Sequence, residues 1–153
     1  AVSISTVGFN VDLGGIGKGY IIQEVMDYII SLGISHAFVE IGGDLKVQGG
    51  LPDGSFWKIL IDNGNKGQKS FFIHTGSVST SGLFTKKFNS FTQDIKIIDP
   101  NTLSFKNYYK RVTVIGSDLA VCDSLSTACW NVPLLKLQDF FHSFDNYIFD
   151  IDY

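Results

Sequence analysis

The sequence predicts an α+β fold: a largely antiparallel sheet with helices packed on one side. Three observations carry that reading. A helical run opens the chain, a train of short strand-like runs follows, and helical runs return near the end. The strand-like runs succeed one another through short turns instead of alternating with helices, which favours hairpins over crossovers. At 153 residues, 44% apolar and 18% charged, residues 1–153 form a single domain with enough apolar material for a core.

The elements follow in order. Residues 18–32 read as a helix, because Ile21, Val25, Ile29 and Leu32 recur at helical spacing and Ile22, Met26 and Ile30 widen the stripe. Gly33 is placed to end it. Residues 36–41 read as a strand that runs into the turn Gly42-Gly43-Asp44, after which 45–47 resume a strand. Gly49-Gly50-Leu51-Pro52-Asp53-Gly54 has turn chemistry throughout. Residues 56–62 alternate and are rich in aromatic and branched side chains, so they read as a strand, and 62–68 as a polar loop. Residues 70–74 and 77–79 read as further strands, the second leading into a turn at Thr80-Ser81-Gly82. A short strand at 95–98 stops at Asp99-Pro100-Asn101-Thr102, and 111–115 is another strand. Ser117 as N-cap, with Asp118 in the first turn, opens a helix to about residue 131. Pro133 opens a short helix through 141, and 147–151 closes the chain as a strand.

Charge and composition exclude some function classes. A net charge of −3 leaves no basic footprint for nucleic acid. No apolar run approaches the roughly 20 residues of a membrane-spanning helix. The chain begins at Ala1 without a methionine, a charged n-region or a cleavage signature, so a processed or trimmed chain is expected. Cys122 and Cys129, if on one helix, lie about 10 Å apart along its axis. A disulfide needs Cα atoms within roughly 7 Å, so they read as packed thiols. His36, His74 and His142 are scattered and read as structural, and neither zinc-type spacings nor a nucleophile elbow occurs.

The stretch from Val11 to Tyr20 organises the chain. It places four glycines in six residues, then starts an amphipathic helix, with Lys18 at the junction. Glycines allow φ > 0 and close approach of a ligand, and a helix opening there offers free N–H groups and the positive end of its dipole. The P-loop pattern fails at Asp12 and Gly19, and the dinucleotide pattern fails at Tyr20. A phosphate seat and a plain strand-to-helix turn therefore stand side by side.

A second constellation is Asp123-Ser124-Leu125-Ser126-Thr127-Ala128. Asp123 and Thr127 are one helical turn apart on a shared face. Such a carboxylate and hydroxyl form a hard-oxygen pair suited to Mg²⁺ or Ca²⁺. Alone, they are read more simply as a solvated aspartate and a back-bonded threonine.

Taken jointly, the pieces resemble the ApbE family, the FAD:protein FMN transferases. The resemblance rests on Asp12-Leu13-Gly14-Gly15-Ile16-Gly17-Lys18-Gly19-Tyr20, Glu40-Ile41-Gly42-Gly43-Asp44, Val78-Ser79-Thr80-Ser81-Gly82, Ile97-Ile98-Asp99-Pro100 and the segment 123–128, in the family's order. It implies an ApbE-like, T-fold-like domain forming the C-terminal portion of a flavin transferase. Such an enzyme cleaves the pyrophosphate of FAD with Mg²⁺ and attaches FMN to a threonine hydroxyl of an acceptor protein. The alternatives are a Mg²⁺-dependent pyrophosphatase giving FMN and AMP, and a relative that binds FAD without turnover. A third, weaker likeness is that segment 123–128 resembles the acidic, hydroxyl-bearing motif that these enzymes modify.

By the same resemblance, the Gly17 carbonyl, Asp123 and Thr127 would hold the metal. Lys18, Gly42, Gly43, Asp44, Thr80, Ser81 and Gly82 would line the FAD site, and Asp123 and Lys96 would occupy catalytic positions. Two residues depart from the family pattern: Lys96 stands where the family has histidine, and Leu103 where it has glycine. Full-length members carry a substantial segment before the first glycine motif, whereas residues 1–11 precede it here. An N-terminal fragment or a second subunit would then complete the flavin pocket. The resemblance also implies a bacterial periplasmic or cell-envelope location, although this chain shows no signal or anchor.

Overall fold

In a computed structural model of the chain, the described residues are 8, 11–62, 67–82, 84–87, 90–93, 97–105 and 108–153. A helix α1 (Gly17–Ser31) leads into strands β1 (Ala37–Ile41), β2 (Asp44–Gln48), β3 (Trp57–Asp62), β4 (Gln68–Ile73) and β5 (Gly76–Gly82). Short strands β6 (Phe84–Lys87), β7 (Ser90–Gln93), β8 (Ile98–Asp99) and β9 (Ser104–Phe105) follow. Then come β10 (Arg111–Gly116), α2 (Leu119–Trp130), a 3₁₀ turn (Leu134–Lys136), α3 (Leu137–His142) and β11 (Ile148–Asp152).

The central sheet is fully antiparallel and ordered β1-β2-β5-β10-β11. Alternation sends Val112 and Val114 of β10 to one face, where they meet Leu119, Cys122, Leu125 and Cys129 of α2. It sends Ile115, with Leu45, Val47 and Val78, to the other face, where they meet Ile59 and Ile61 of the β3–β4 hairpin. Helices therefore cover one face, as the order of elements predicts, and the hairpin covers the other. Three layers bury both sides of β2, β5 and β10.

Local chemistry sets the boundaries. Gly33 ends α1 at φ +81°. The β1–β2 hairpin closes through Gly42 and Gly43, both at positive φ (62° and 96°), the two-residue loop whose twist matches the strands and which glycine alone enters freely. The α2 cap is Asp118, not Ser117: its carboxylate accepts from the Val121 amide at 2.9 Å. The strand runs to Gly116, and the carbonyl of Ser117 instead accepts from Lys46 Nζ at 2.7 Å. Thr80-Ser81-Gly82 is no turn; it continues β5, paired with Thr113, Val112 and Arg111 of β10. Its hydroxyls and glycine suit a turn locally, but the neighbouring strand satisfies the backbone. The β6–β7 hairpin had no clear signal in the sequence. Of the strand expected at 95–98, Ile98 is in β8, while 95–96 lie outside the described residues. The following turn connects β8 to β9 and holds Leu103 at φ 51°. Both cysteines are unpaired, buried thiols on α2. Among the described residues no helix is long and apolar enough to cross a membrane.

Candidate functional site

Three features of the chain bring the site together. The first is a missing Cβ. A Cβ at Gly19 would lie 2.5 Å from the Leu119 carbonyl oxygen and 2.8 Å from the Asp123 Cβ, so only glycine lets α2 cross α1 this closely. A Cβ at Gly15 would likewise sit 3.1 Å from Thr127 Cγ2 and 3.2 Å from its hydroxyl. The glycine bend before α1 and the Asp123–Thr127 face of α2 thus meet. Gly17, the first residue of α1, lies between these two contact points.

The second feature is the tight β1–β2 hairpin, which delivers Asp44 to the helix-covered face at the end nearest α1. A Cβ at Gly42 would stand 3.9 Å from Lys18 Cδ. The third is the small side chains of β5. Ser77, Ser79 and Ser81 alternate on the helix side, and their size lets α2 sit close above them.

Lys18 links the parts. Its ammonium pairs with Asp44 Oδ2 and lies 3.6 Å from Asp123 Oδ1. The two carboxylates are almost fully buried, whereas the lysine side chain is 45% exposed, so the group opens to solvent through Lys18. Asp44 Oδ1 accepts from Ser79 Oγ at 2.7 Å and from the Thr80 amide at 3.2 Å. Asp123 Oδ2 accepts from the Gly19 amide at 3.0 Å. The first turn of α1 therefore already holds an anion, the carboxylate of Asp123. Ser126 Oγ bonds Ser81 Oγ at 2.8 Å and Ser79 Oγ at 3.3 Å, tying α2 to β5.

Electrostatics follow from this packing. Burial raises the carboxyl of Asp123 above the usual range, and the nearby Asp44 charge adds to it; the Gly19 amide and Lys18 oppose but do not cancel it. For Lys18, burial acts to lower the pKa, but the hydrogen bond and charge of Asp44, with Asp123, outweigh it and hold it above the ordinary lysine value. Lys18 is thus a cation throughout the neutral range. Two carboxylates and one ammonium leave a local excess of negative charge, which a further cation would relieve.

The structure brings Lys18, Gly42, Asp44 and Asp123 together, and Ser81 joins them through Ser126. Thr80 contributes its amide, while its hydroxyl meets Thr113 Oγ1 at 3.0 Å on the opposite face of the sheet. Gly43 lies at the hairpin tip with open space around it, and Gly82 ends β5 beside the Lys110 carbonyl. Lys96 lies outside the described residues. Sequence reasoning missed Ser79 and Ser126. The signals were there: Ser79 alternates with Ser77 and Ser81 on a strand, and Ser126 follows Asp123 by three positions on a helix.

A family model described as the ApbE family matches residues 3–148. The chain belongs to the ApbE family. A FAD:protein FMN transferase of Vibrio cholerae is 36% identical over 126 residues, covering 76% of this chain and 37% of that protein. One of Klebsiella pneumoniae is 31% identical over 142 residues, covering 90% of this chain and 42% of that protein. Among solved structures, the ApbE protein of Thermotoga maritima matches with a TM-score of 0.76 at 26% identity, over 92% of this chain and 48% of that one. The flavinyl transferase ApbE of Pseudomonas stutzeri, in its apo form, matches with a TM-score of 0.74 at 26% identity, over 93% of this chain and 49% of that one. The antiparallel sheet with helices on one face is therefore the ApbE arrangement. The chain spans about two fifths of the length of the curated relatives and about half of the solved ones.

Proposed function

We propose that this ApbE chain carries the cation and diphosphate part of a Mg²⁺-dependent FAD:protein FMN transferase. The observation that carries the reading is the meeting of the first glycine bend with Asp123 and Thr127 of α2, beside the Lys18–Asp44 pair. The donor set fits a hard cation: a buried carboxylate whose charge is incompletely neutralised, a threonine hydroxyl and backbone carbonyls, all oxygen. Among the described residues no three His, Cys, Asp or Glu side chains group as a metal site, so hydroxyl and carbonyl oxygens would complete the shell. Asp123, Thr127 and the Gly17 carbonyl are the residues that would hold it. When bound, Mg²⁺ supplies charge stabilisation for a phosphoryl group under attack.

The chain's own residues supply the rest. In the proposed reaction a threonine oxygen of the acceptor bonds to the phosphorus on the FMN side of the diphosphate. The bond from that phosphorus to the bridging oxygen breaks, AMP departs with that oxygen, and the proton of the hydroxyl passes to solvent. Negative charge grows on the departing phosphate, and Lys18, cationic and reachable from solvent, can neutralise it. Asp44 orients Lys18 and is itself held by Ser79 and the Thr80 amide, so the ammonium is positioned before FAD arrives. The Gly19 amide keeps Oδ2 of Asp123 engaged, while Oδ1 lies 3.6 Å from Lys18 Nζ and is the oxygen that would serve a cation.

The test mixes the chain with FAD, MgCl₂ and a threonine-bearing acceptor protein and follows covalent flavin fluorescence on the acceptor. The expected result is a flavinylated acceptor with the chain, and at least a hundredfold loss with Asp123→Ala. FMN and AMP appearing without a labelled acceptor would replace transfer by hydrolysis. No product and no FAD binding would overturn the reading.

A further inference from the structure

Beneath the two carboxylates lies a layer of hydroxyls that the proposed reaction leaves unused. Ser79 and Ser126 are buried between β5 and α2, at 1% and 0% exposure, and Ser81 sits half-buried beside them. Small size alone does not account for them. Alanine would let α2 approach β5 as closely, without the cost of taking a hydroxyl out of water. Three hydroxyls at one helix–strand contact therefore point to a use of their hydrogen bonds.

Counting protons gives this contact a direction. Asp44 Oδ2 pairs with the Lys18 ammonium, so the Asp44 carboxylate only accepts, and its Oδ1 takes the single proton of Ser79 at 2.7 Å. Between Ser79 and Ser126, 3.3 Å apart, the Ser79 oxygen is then the acceptor. The Ser126 proton is shared between Ser79 and the Asp123 carbonyl at 3.0 Å, and its oxygen accepts from Ser81 at 2.8 Å. The hydroxyls thus run from Ser81 to Ser126 to Ser79 to Asp44, each donating toward the carboxylate and polarising the next. Ser126 alone among the four is carried by α2, the helix of Asp123; the others belong to the sheet.

The geometry points to Ser126 as a positioning residue: through Ser79 it fixes the Asp44 carboxylate, and through Asp44 the Lys18 ammonium, relative to the helix that carries Asp123. With no exposed surface of its own, Ser126 acts only through these neighbours. Without its hydroxyl, Ser79 loses a donor and turns more freely. Asp44 then keeps the Thr80 amide at 3.2 Å but holds its shorter bond less firmly, and Lys18 spends less time where a departing phosphate would meet it. In its effect on rate this role rests on the proposed transfer reaction; in its effect on Lys18 it does not.

The experiment compares the full chain with Ser126→Ala, Ser79→Ala and the double variant, each checked for folding by circular dichroism and urea midpoint. With FAD, MgCl₂ and a threonine-bearing acceptor protein, Ser126→Ala should lower kcat about tenfold, the weight of one hydrogen bond, with the KM for FAD within about twofold. Ser79→Ala should do the same, and the double variant should lose no more than about twofold beyond it, because both act along one chain. Ser126→Cys, similar in size but a weak donor, should match alanine and stands in where alanine fails to fold. In the protein without FAD, NMR reads the exchange of the Lys18 ammonium protons with water, which Ser126→Ala should quicken about threefold or more. An unchanged kcat, a loss borne by KM, or a roughly hundredfold additive loss in the double variant would each overturn the role. Should the parent neither bind nor turn over FAD, the transfer reading falls and the exchange measurement decides: faster exchange at Lys18 supports the role of Ser126, and an unchanged rate overturns it.

Discussion

At the scale of single residues, Asp150 shows how a buried charge ties a sheet together. Its carboxylate takes Arg111 NH2 at 2.8 Å and also pairs with Lys69, so β11, β10 and β4 share one carboxylate. Burial acts to raise its pKa, but the bonds and charges of Lys69 and Arg111 outweigh that and hold it below the usual carboxylate value. A depressed folded-state pKa contributes stability above the unfolded value, lost as pH falls through the folded one. Asp150→Asn should therefore cost about 3 kcal/mol at pH 7, because it strands a buried guanidinium, and the gap to the parent should shrink on acidification below about pH 4. Urea midpoints across pH measure both. Leu103 is the converse case, an exposed leucine held at φ 51° in the turn between β8 and β9. Leucine in the left-handed region costs about 1–2 kcal/mol, and glycine returns part of that as chain entropy. Leu103→Gly should thus stabilise by roughly 0.5–1 kcal/mol, seen as a higher urea midpoint at unchanged slope. The turn at 99–102 was legible in the sequence, but the left-handed backbone at Leu103 was not. The Arg111–Asp150–Lys69 group was not legible, because its members lie far apart in the chain and meet only once β10 and β11 are paired and the β3–β4 hairpin lies over them.

At the scale of elements, the crossing of α1 and α2 decides the site. Gly19→Ala drives a methyl group into the Leu119 carbonyl and the Asp123 Cβ. The helices must part, at a cost of about 2–3 kcal/mol by overpacking. Because Asp123 and Thr127 move with α2, the FAD affinity that the proposed function requires should fall together with the thermal midpoint, flavin fluorescence reading the first. Gly33→Ala, at φ +81° with open space around it, should lower the midpoint alone. Helix α1 was legible in the sequence from its apolar spacing, although the side it buries is Ile22 and Met26 and not Ile21, Val25 and Leu32; α2 was legible from its capping signal, and the glycine motifs because glycine is demanded by contacts or by positive φ. The error at Thr80-Ser81-Gly82 came from reading local turn chemistry where β10 supplies the hydrogen bonds. The serines of β5 become readable from their alternation, Ser77, Ser79 and Ser81, once the stretch is taken as one strand.

At the scale of the whole molecule, stability is concentrated where the three layers overlap. β5 and β10 are flanked by strands on both sides and covered by α2 on one face, with the hairpin lying over Val78 and Ile115 on the other. Their amides should be the slowest to exchange with deuterium, followed by β2, with β1 and β11 opening first; a slower β1 would contradict this order. The two thiols beneath α2 give the same architecture a built-in reporter. Cys122 and Cys129 are fully covered, and burial pushes both pKa values up to about 12, so neither forms thiolate near neutral pH. A disulfide reagent added to the native protein would have nothing to attack until the helix lifts from the sheet. The colour it releases would then time that opening, and the same shelter lets the chain meet oxidants with both sulfur atoms unchanged.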